Sequence, residues 1–108
     1  MKRGEVWWVE FDPAVGSEIG KKRPALIVSN DAANRNLARV VVLPLTSNTS
    51  RLYPGEARVT VDGQESKVMA DQIMASDKSR LKGRLGVISK ADMAAAEDAM
   101  RVHLALAK

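Results

Sequence analysis

Ahead of residue 89, no apolar pattern in this chain runs long enough to make a long helix. The chain breaks instead into short runs of β-branched and aromatic residues, each stopped by polar or turn-forming residues. Glu5-Val6-Trp7-Trp8-Val9-Glu10-Phe11 stops at Asp12-Pro13 and reads as a strand followed by a turn. Five or six strands are expected, over 5–11, 25–29, 39–45, 56–61, 67–73 and 82–88. Ala25-Leu26-Ile27-Val28 is too short and too continuously apolar for an amphipathic helix, so it reads as a core strand. Pro44 within the 39–45 run suggests an edge or a bulge. Residues 30–36 form a polar turn with room for one helical turn, and 76–81 suit a short helix. Tyr53-Pro54-Gly55 and Asp62-Gly63 are turns, the second a strong hairpin signal.

Helical periodicity sets in only at the end. Ser89-Lys90-Ala91-Asp92 resembles a capping box with Asp in place of the usual Glu or Gln. Met93, Ala96, Met100, Leu104 and Ala107 then recur at helical spacing. Short strands followed by one helix imply a compact, mainly β, mostly antiparallel barrel or sheet with the helix packed on one side.

At 108 residues the chain is expected to form one domain, 1–108. No apolar run approaches the roughly 20 residues needed to span a bilayer, and no signal-peptide pattern opens the chain. The chain has no cysteine, which excludes disulfides and thiolate zinc sites and fits a reducing, cytoplasmic compartment. The single histidine, His103, argues against histidine-rich metal sites and against a catalytic histidine pair. Its place late in the terminal helix suits packing or a helix C-terminus role. The net charge of +4 favours a polyanionic partner, with nucleic acid first.

Chemistry concentrates around Gly16-Ser17-Glu18-Ile19-Gly20-Lys21-Lys22-Arg23-Pro24. Glycines at 16 and 20 make this loop mobile, whereas Pro24 forces Arg23 into extended backbone and suits the first residue of a strand. An arginine there offers a fork of donors matched to phosphate oxygens, or is one more solvated cation. Thr46 and Ser47 end a buried strand, where their hydroxyls either donate to a phosphoryl oxygen or bond the local turn. Glu18 either pairs with Lys22 or Arg23, acts as a base, or lies exposed. Trp7 and Trp8 point to opposite faces of their strand, so one is core and the other can stack on a base or cover a dimer surface. Lys21-Lys22-Arg23 and Lys78-Arg80-Lys82-Arg84 either track a phosphate backbone or form solvated faces.

Taken in order, Arg3-Gly4-Glu5-Val6-Trp7, Asp12-Pro13, Gly16-Ser17-Glu18, Arg23-Pro24, Thr46-Ser47, Tyr53-Pro54, Asp71-Gln72-Ile73 and the closing helix resemble the MazF/PemK family of bacterial toxin–antitoxin toxins. The likeness covers almost the whole chain. It implies an SH3-like β-barrel with appended helices, a homodimer, and a sequence-specific, ribosome-independent endoribonuclease. It also implies cleavage of single-stranded RNA without metal or other cofactor, by 2′-hydroxyl attack, and neutralisation by a cognate MazE-like antitoxin. In the MazF branch, the catalytic arginine and threonine match Arg23 and Thr46. Glu18 matches the loop glutamate, and Asp71 and Gln72 match the acidic–glutamine pair beside the site. Ser47 and Lys22 are supporting candidates. The PemK branch uses a loop histidine and an arginine where this chain has Ser17 and Met69, which favours the Arg23/Thr46 arrangement. Two other readings remain: a gyrase-directed toxin like CcdB, which shares the architecture, and a non-catalytic nucleic-acid-binding module.

Overall fold

The structure, a computed structural model, describes residues 1–11 and 21–107. Among the described residues, seven strands and two α-helices follow one another as β1 (Glu5–Glu10), β2 (Lys22–Ile27), α1 (Asp31–Asn36), β3 (Arg39–Thr46), β4 (Glu56–Val61), β5 (Gln64–Met69), β6 (Met74–Asp77), β7 (Leu81–Val87) and α2 (Lys90–Leu104). All pairings are antiparallel. The strand order is β4-β5-β3-β2-β1-β7, with β6 also on β3. The sheet curls until its ends approach. There a Cβ on Gly86 of β7 would meet the Val61 side chain of β4 at 3.0 Å, so any larger residue would need Val61 to shift. Side-chain packing, not a strand ladder, closes the barrel on this side.

β2 and β3 are apolar without alternation because both their faces are covered. Leu26, Leu43 and Leu45 point into one core with Val6, Val59, Val68 and helix residues Ala96 and Ala99. Ala25, Ile27, Val40 and Val42 point into a second core with Val9, Phe11 and Leu81.

The 76–81 stretch is not the expected helix. It splits into β6, which pairs with β3 along Arg39–Val42, and a one-turn 3-10 segment, Lys78–Arg80. Pairing to β3 satisfies the backbone of β6, and Asp77 caps the turn by accepting from the Ser79 N–H at 2.9 Å. The expected 67–73 strand is shifted: β5 starts at Gln64, and Ala70–Gln72 forms another 3-10 turn. Pro44 lies on neither an edge strand nor a recorded bulge. β3 leaves β6 at Val42 and takes up β5 only at Leu45, so Pro44 falls in the gap between those two partners.

The α2 cap is half of a capping box. Ser89 Oγ accepts from the Asp92 N–H at 3.1 Å, but the Asp92 carboxylate accepts from the Thr60 N–H of edge strand β4 at 2.8 Å. That carboxylate therefore fastens the helix to the sheet. Replacing Asp92 by Ala is expected to lower unfolding free energy by about 1–3 kcal/mol, read by urea denaturation. Met93, Ala96 and Met100 of the expected stripe face the core. Leu104 is exposed, and Ala107 lies beyond the helix. Ala105 closes α2 in the left-handed region, at φ 56°. His103 is exposed in the last helical turn, near Gly55, at the helix C-terminus that its sequence position suited. Among the described residues, no helix is long and apolar enough to cross a membrane.

Candidate active site

The site originates in a split between two central strands. β2 and β3 pair at Ile27–Val42, Leu26–Leu43 and Ala25–Pro44, and there the pairing ends. One further step in that register would set Pro24 against Leu45, and the next would set Arg23 against Thr46. Instead β3 turns to β5, with Leu45 opposite Val68 and Thr46 opposite Lys67. β2 remains paired with β1 alone, Pro24 opposite Trp8 and Arg23 opposite Val9. A proline at the split costs little, because the ladder it would interrupt has already stopped. β2 begins at Lys22, so Pro24 is its third residue rather than its first.

The split opens a cleft of about 400 Å³. Arg23, Thr46 and Ser47 border it together, so the expected arginine and both hydroxyls share one site. Trp8, Pro24, Leu45 and Leu85 supply apolar lining, and Asp62, Gln64 and Ser66 supply polar lining from the β4–β5 hairpin. Arg23 and Thr46 are half-buried, and Ser47 is exposed. Thr46 Oγ1 accepts from the Asn48 N–H at 3.3 Å, and a hydroxyl that accepts still has its proton to donate.

The other expected residues lie elsewhere. Lys22 pairs with Glu10 and is exposed outside the cleft lining. Asp71 and Gln72 occupy the 3-10 turn past the far end of β5 and do not line the cleft. Glu18 and Ser17, with the mobile loop expected around them, lie outside the described residues. Trp7 is the half-buried tryptophan, its indole N–H donating to Glu5 at 2.9 Å, and Trp8 is the one in the cleft.

The basic run on and before β7 is largely exposed, at Arg80, Lys82 and Arg84, while three of its cations also reach acceptors of the fold. Lys78 donates to the Asn34 carbonyl, Arg80 to the Glu10 carbonyl, and Arg84 lies 3.3 Å from Glu5. Burial raises the Glu5 pKa, but hydrogen bonds from Trp7 and the Lys2 N–H, with the N-terminal and Arg84 charges, outweigh it and hold the carboxyl below its ordinary 4.5.

Sequence reasoning missed two features. Gln64 and Ser66 lie opposite the core residues Val61 and Val59, so they occupy the inward phase of β5 although they are polar. That phase was readable as two polar residues where β5's face should be apolar. The second is Lys67, almost fully buried next to Ser66. Its ammonium reaches Glu56 at 2.9 Å and the Arg51 carbonyl at 2.8 Å, and sits 5.5 Å from the centre of the Tyr53 ring. It pins the stretch that begins at Ser47.

A curled antiparallel sheet backed by one helix, and split beside an Arg-Pro pair, defines a class of small half-barrel proteins with a polar cleft. Residues 2–104 match the family of PemK-like, MazF-like toxins of type II toxin–antitoxin systems. Endoribonuclease MazF9 of Mycobacterium tuberculosis is 39% identical over 115 residues, spanning 98% of each chain. Endoribonuclease EndoA of Bacillus subtilis is 30% identical over 112 residues, spanning 98% of this chain and 96% of its own. A solved endoribonuclease in complex with its cognate antitoxin, from a mycobacterial species, matches with a TM-score of 0.84 at 30% identity, covering 100% of this chain and 98% of that one. The chain belongs to the PemK-like, MazF-like toxin family.

Proposed function

We propose that this protein is an endoribonuclease toxin that cuts single-stranded RNA at the Arg23/Thr46 cleft and is neutralised by a cognate antitoxin covering that cleft. The observation that carries this reading is the β2–β3 split, which leaves an arginine and a threonine hydroxyl bordering one cleft. The printed functions of the similar proteins support it.

In the proposed reaction the ribose 2′-hydroxyl attacks the adjacent phosphate, leaving a 2′,3′-cyclic phosphate and a 5′-hydroxyl. Arg23 stabilises the charge that builds on the phosphorane, a fixed donor aimed at where charge develops. A guanidinium carries N–H donors and no acceptor, so Arg23 is a donor and not the base. Thr46 and Ser47 add hydroxyl donors. Glu18 is the carboxylate the sequence offers for the 2′-hydroxyl proton, and the leaving 5′-oxygen takes its proton from the Arg23 guanidinium or from water. These groups supply the chemistry without a metal ion, a ribosome or another cofactor. The working form is a homodimer. Single-stranded substrate is required because only unpaired bases can be splayed and read.

The test is incubation of the purified protein with a long single-stranded RNA in EDTA, followed by mapping of the cut ends. Discrete cuts with cyclic phosphate ends are expected. RNA binding without cuts would replace this reading with a non-catalytic module, and gyrase inhibition without either would replace it with a CcdB-like toxin. Thr46→Ala is expected to slow cleavage about 10²-fold without unfolding the protein. An unchanged rate removes Thr46 from the site.

A further inference from the structure

We infer that the apolar part of the cleft is a nucleobase pocket in which Trp8 is the stacking face and Asp62 and Gln64 read the edge of a base carrying an exocyclic amino group. This rests on the proposed ribonuclease reading and names what its cleft recognises.

The inward faces of the strands change character at this end of the barrel. Along β1, Val6 and Trp8 share a face, yet Val6 is fully buried and Trp8 is 36% exposed. Along β5, Val68 is fully buried, and Ser66 and Gln64 follow it on the same face. Leu45 and Val61, at 1% and 4% exposure, form the floor between them. The barrel interior therefore ends in an aromatic ring, an apolar floor and a row of polar side chains, with no protein element over them among the described residues.

That combination suits a flat π-system with a hydrogen-bonding rim. Unstacked bases are bound in this way, stacked on an aromatic ring and read along their edges. Arg23 borders the same cavity, so the base held here belongs to a nucleotide next to the scissile phosphate.

The polar groups restrict which base fits. An Asp62 carboxylate only accepts hydrogen bonds, whereas the Gln64 amide both donates and accepts. An amino group on adenine, cytosine or guanine gives Asp62 a donor. Uracil presents a carbonyl at the equivalent position and leaves Asp62 facing an acceptor. Asp62 holds a left-handed backbone at φ 51°, where Asn is also tolerated, so Asp62→Asn replaces one of the two acceptor oxygens with an N–H donor, and keeps the other, without straining the turn.

Cleavage of a randomised RNA pool by the wild type and by Asp62→Asn, Gln64→Ala, Trp8→Ala and Trp8→Phe tests this. One position flanking the cut is expected to admit only amino-bearing bases in the wild type and to shift toward uracil in Asp62→Asn, with other positions unchanged. Trp8→Ala is expected to raise KM about tenfold or more, with Trp8→Phe restoring most of the loss. An unchanged base profile in both hairpin variants, together with an unchanged KM in Trp8→Ala, overturns the pocket while leaving the ribonuclease standing. Titration with oligonucleotides carrying a 2′-deoxy nucleotide at the cut separates the two readings. Base-dependent binding lost in Trp8→Ala upholds the pocket even if the wild type never cuts. Absence of any binding by the wild type overturns it.

Discussion

Arg23→Ala is expected to abolish RNA cleavage while leaving the protein folded. Removing one preorganised donor from a developing oxyanion costs about 10²–10³-fold. Among the described residues that border the cleft, Arg23 is also the cationic one, so the loss should reach at least the upper end of that range. Its strand stays paired through Pro24, Ala25 and Leu26, so the unfolding midpoint should remain close to that of the wild type. Arg23→Lys keeps the charge but not the planar fork, and should recover only a small part of the rate. Single-turnover cleavage of one mapped site, with circular dichroism on the same samples, decides the matter. A folded Arg23→Ala protein that cuts at the wild-type rate would falsify the mechanism.

Lys67→Met is expected to have the largest effect on stability. Glu56 is almost as buried as Lys67, and its Oε1 accepts from both the Lys67 ammonium and the Tyr53 N–H. Without the lysine, a carboxylate stays in the interior with one remaining hydrogen bond, and the Arg51 carbonyl loses its donor. Breaking one side of a buried pair costs about 3–5 kcal/mol. That is a large share of the 5–15 kcal/mol, roughly, that holds a domain of this kind together. Removing both charges in Glu56→Leu with Lys67→Met should recover most of the loss, because an apolar pair there has no ion to desolvate. Urea denaturation at neutral pH reads both variants. A loss under about 1 kcal/mol in Lys67→Met would show that the pair contributes little.

Some of this was legible in the sequence and some was not, for physical reasons. The strands β1 to β3 and the helix α2 were visible because each carries its own period and its own punctuation. The short 76–81 stretch was misread because β6 exists only through its partner β3, and no local pattern reports a partner. Pro44 signalled an interruption correctly, but an interruption between two different neighbours reads the same as an edge. Arg23 and Thr46 were legible as candidates. That they border one cleft follows from where the β2–β3 ladder stops, at Ala25 and Pro44, which no single motif contains. Lys67 was invisible because a lysine at the first position of an expected strand normally lies in solvent. Asp71 and Gln72 carried a resemblance, yet a 3-10 turn puts them beyond the far end of β5, away from the cleft.

The prolines at 24 and 44 deserve a different description from the one their positions suggest. Pro44 sits in the last rung of the β2–β3 ladder, opposite Ala25, and Pro24, the next residue of β2, has no N–H with which to add another. Pro24 acts as the stop on a zipper. Exchanging Pro24 for valine would hand the strand the donor it lacks and invite the next rungs to close, Arg23 against Thr46 last of all. A population of variants chosen only for resistance to heat should therefore drift toward a sealed seam, a sturdier sheet and a blunt toxin. In this fold, chemistry is available where the sheet is kept from finishing.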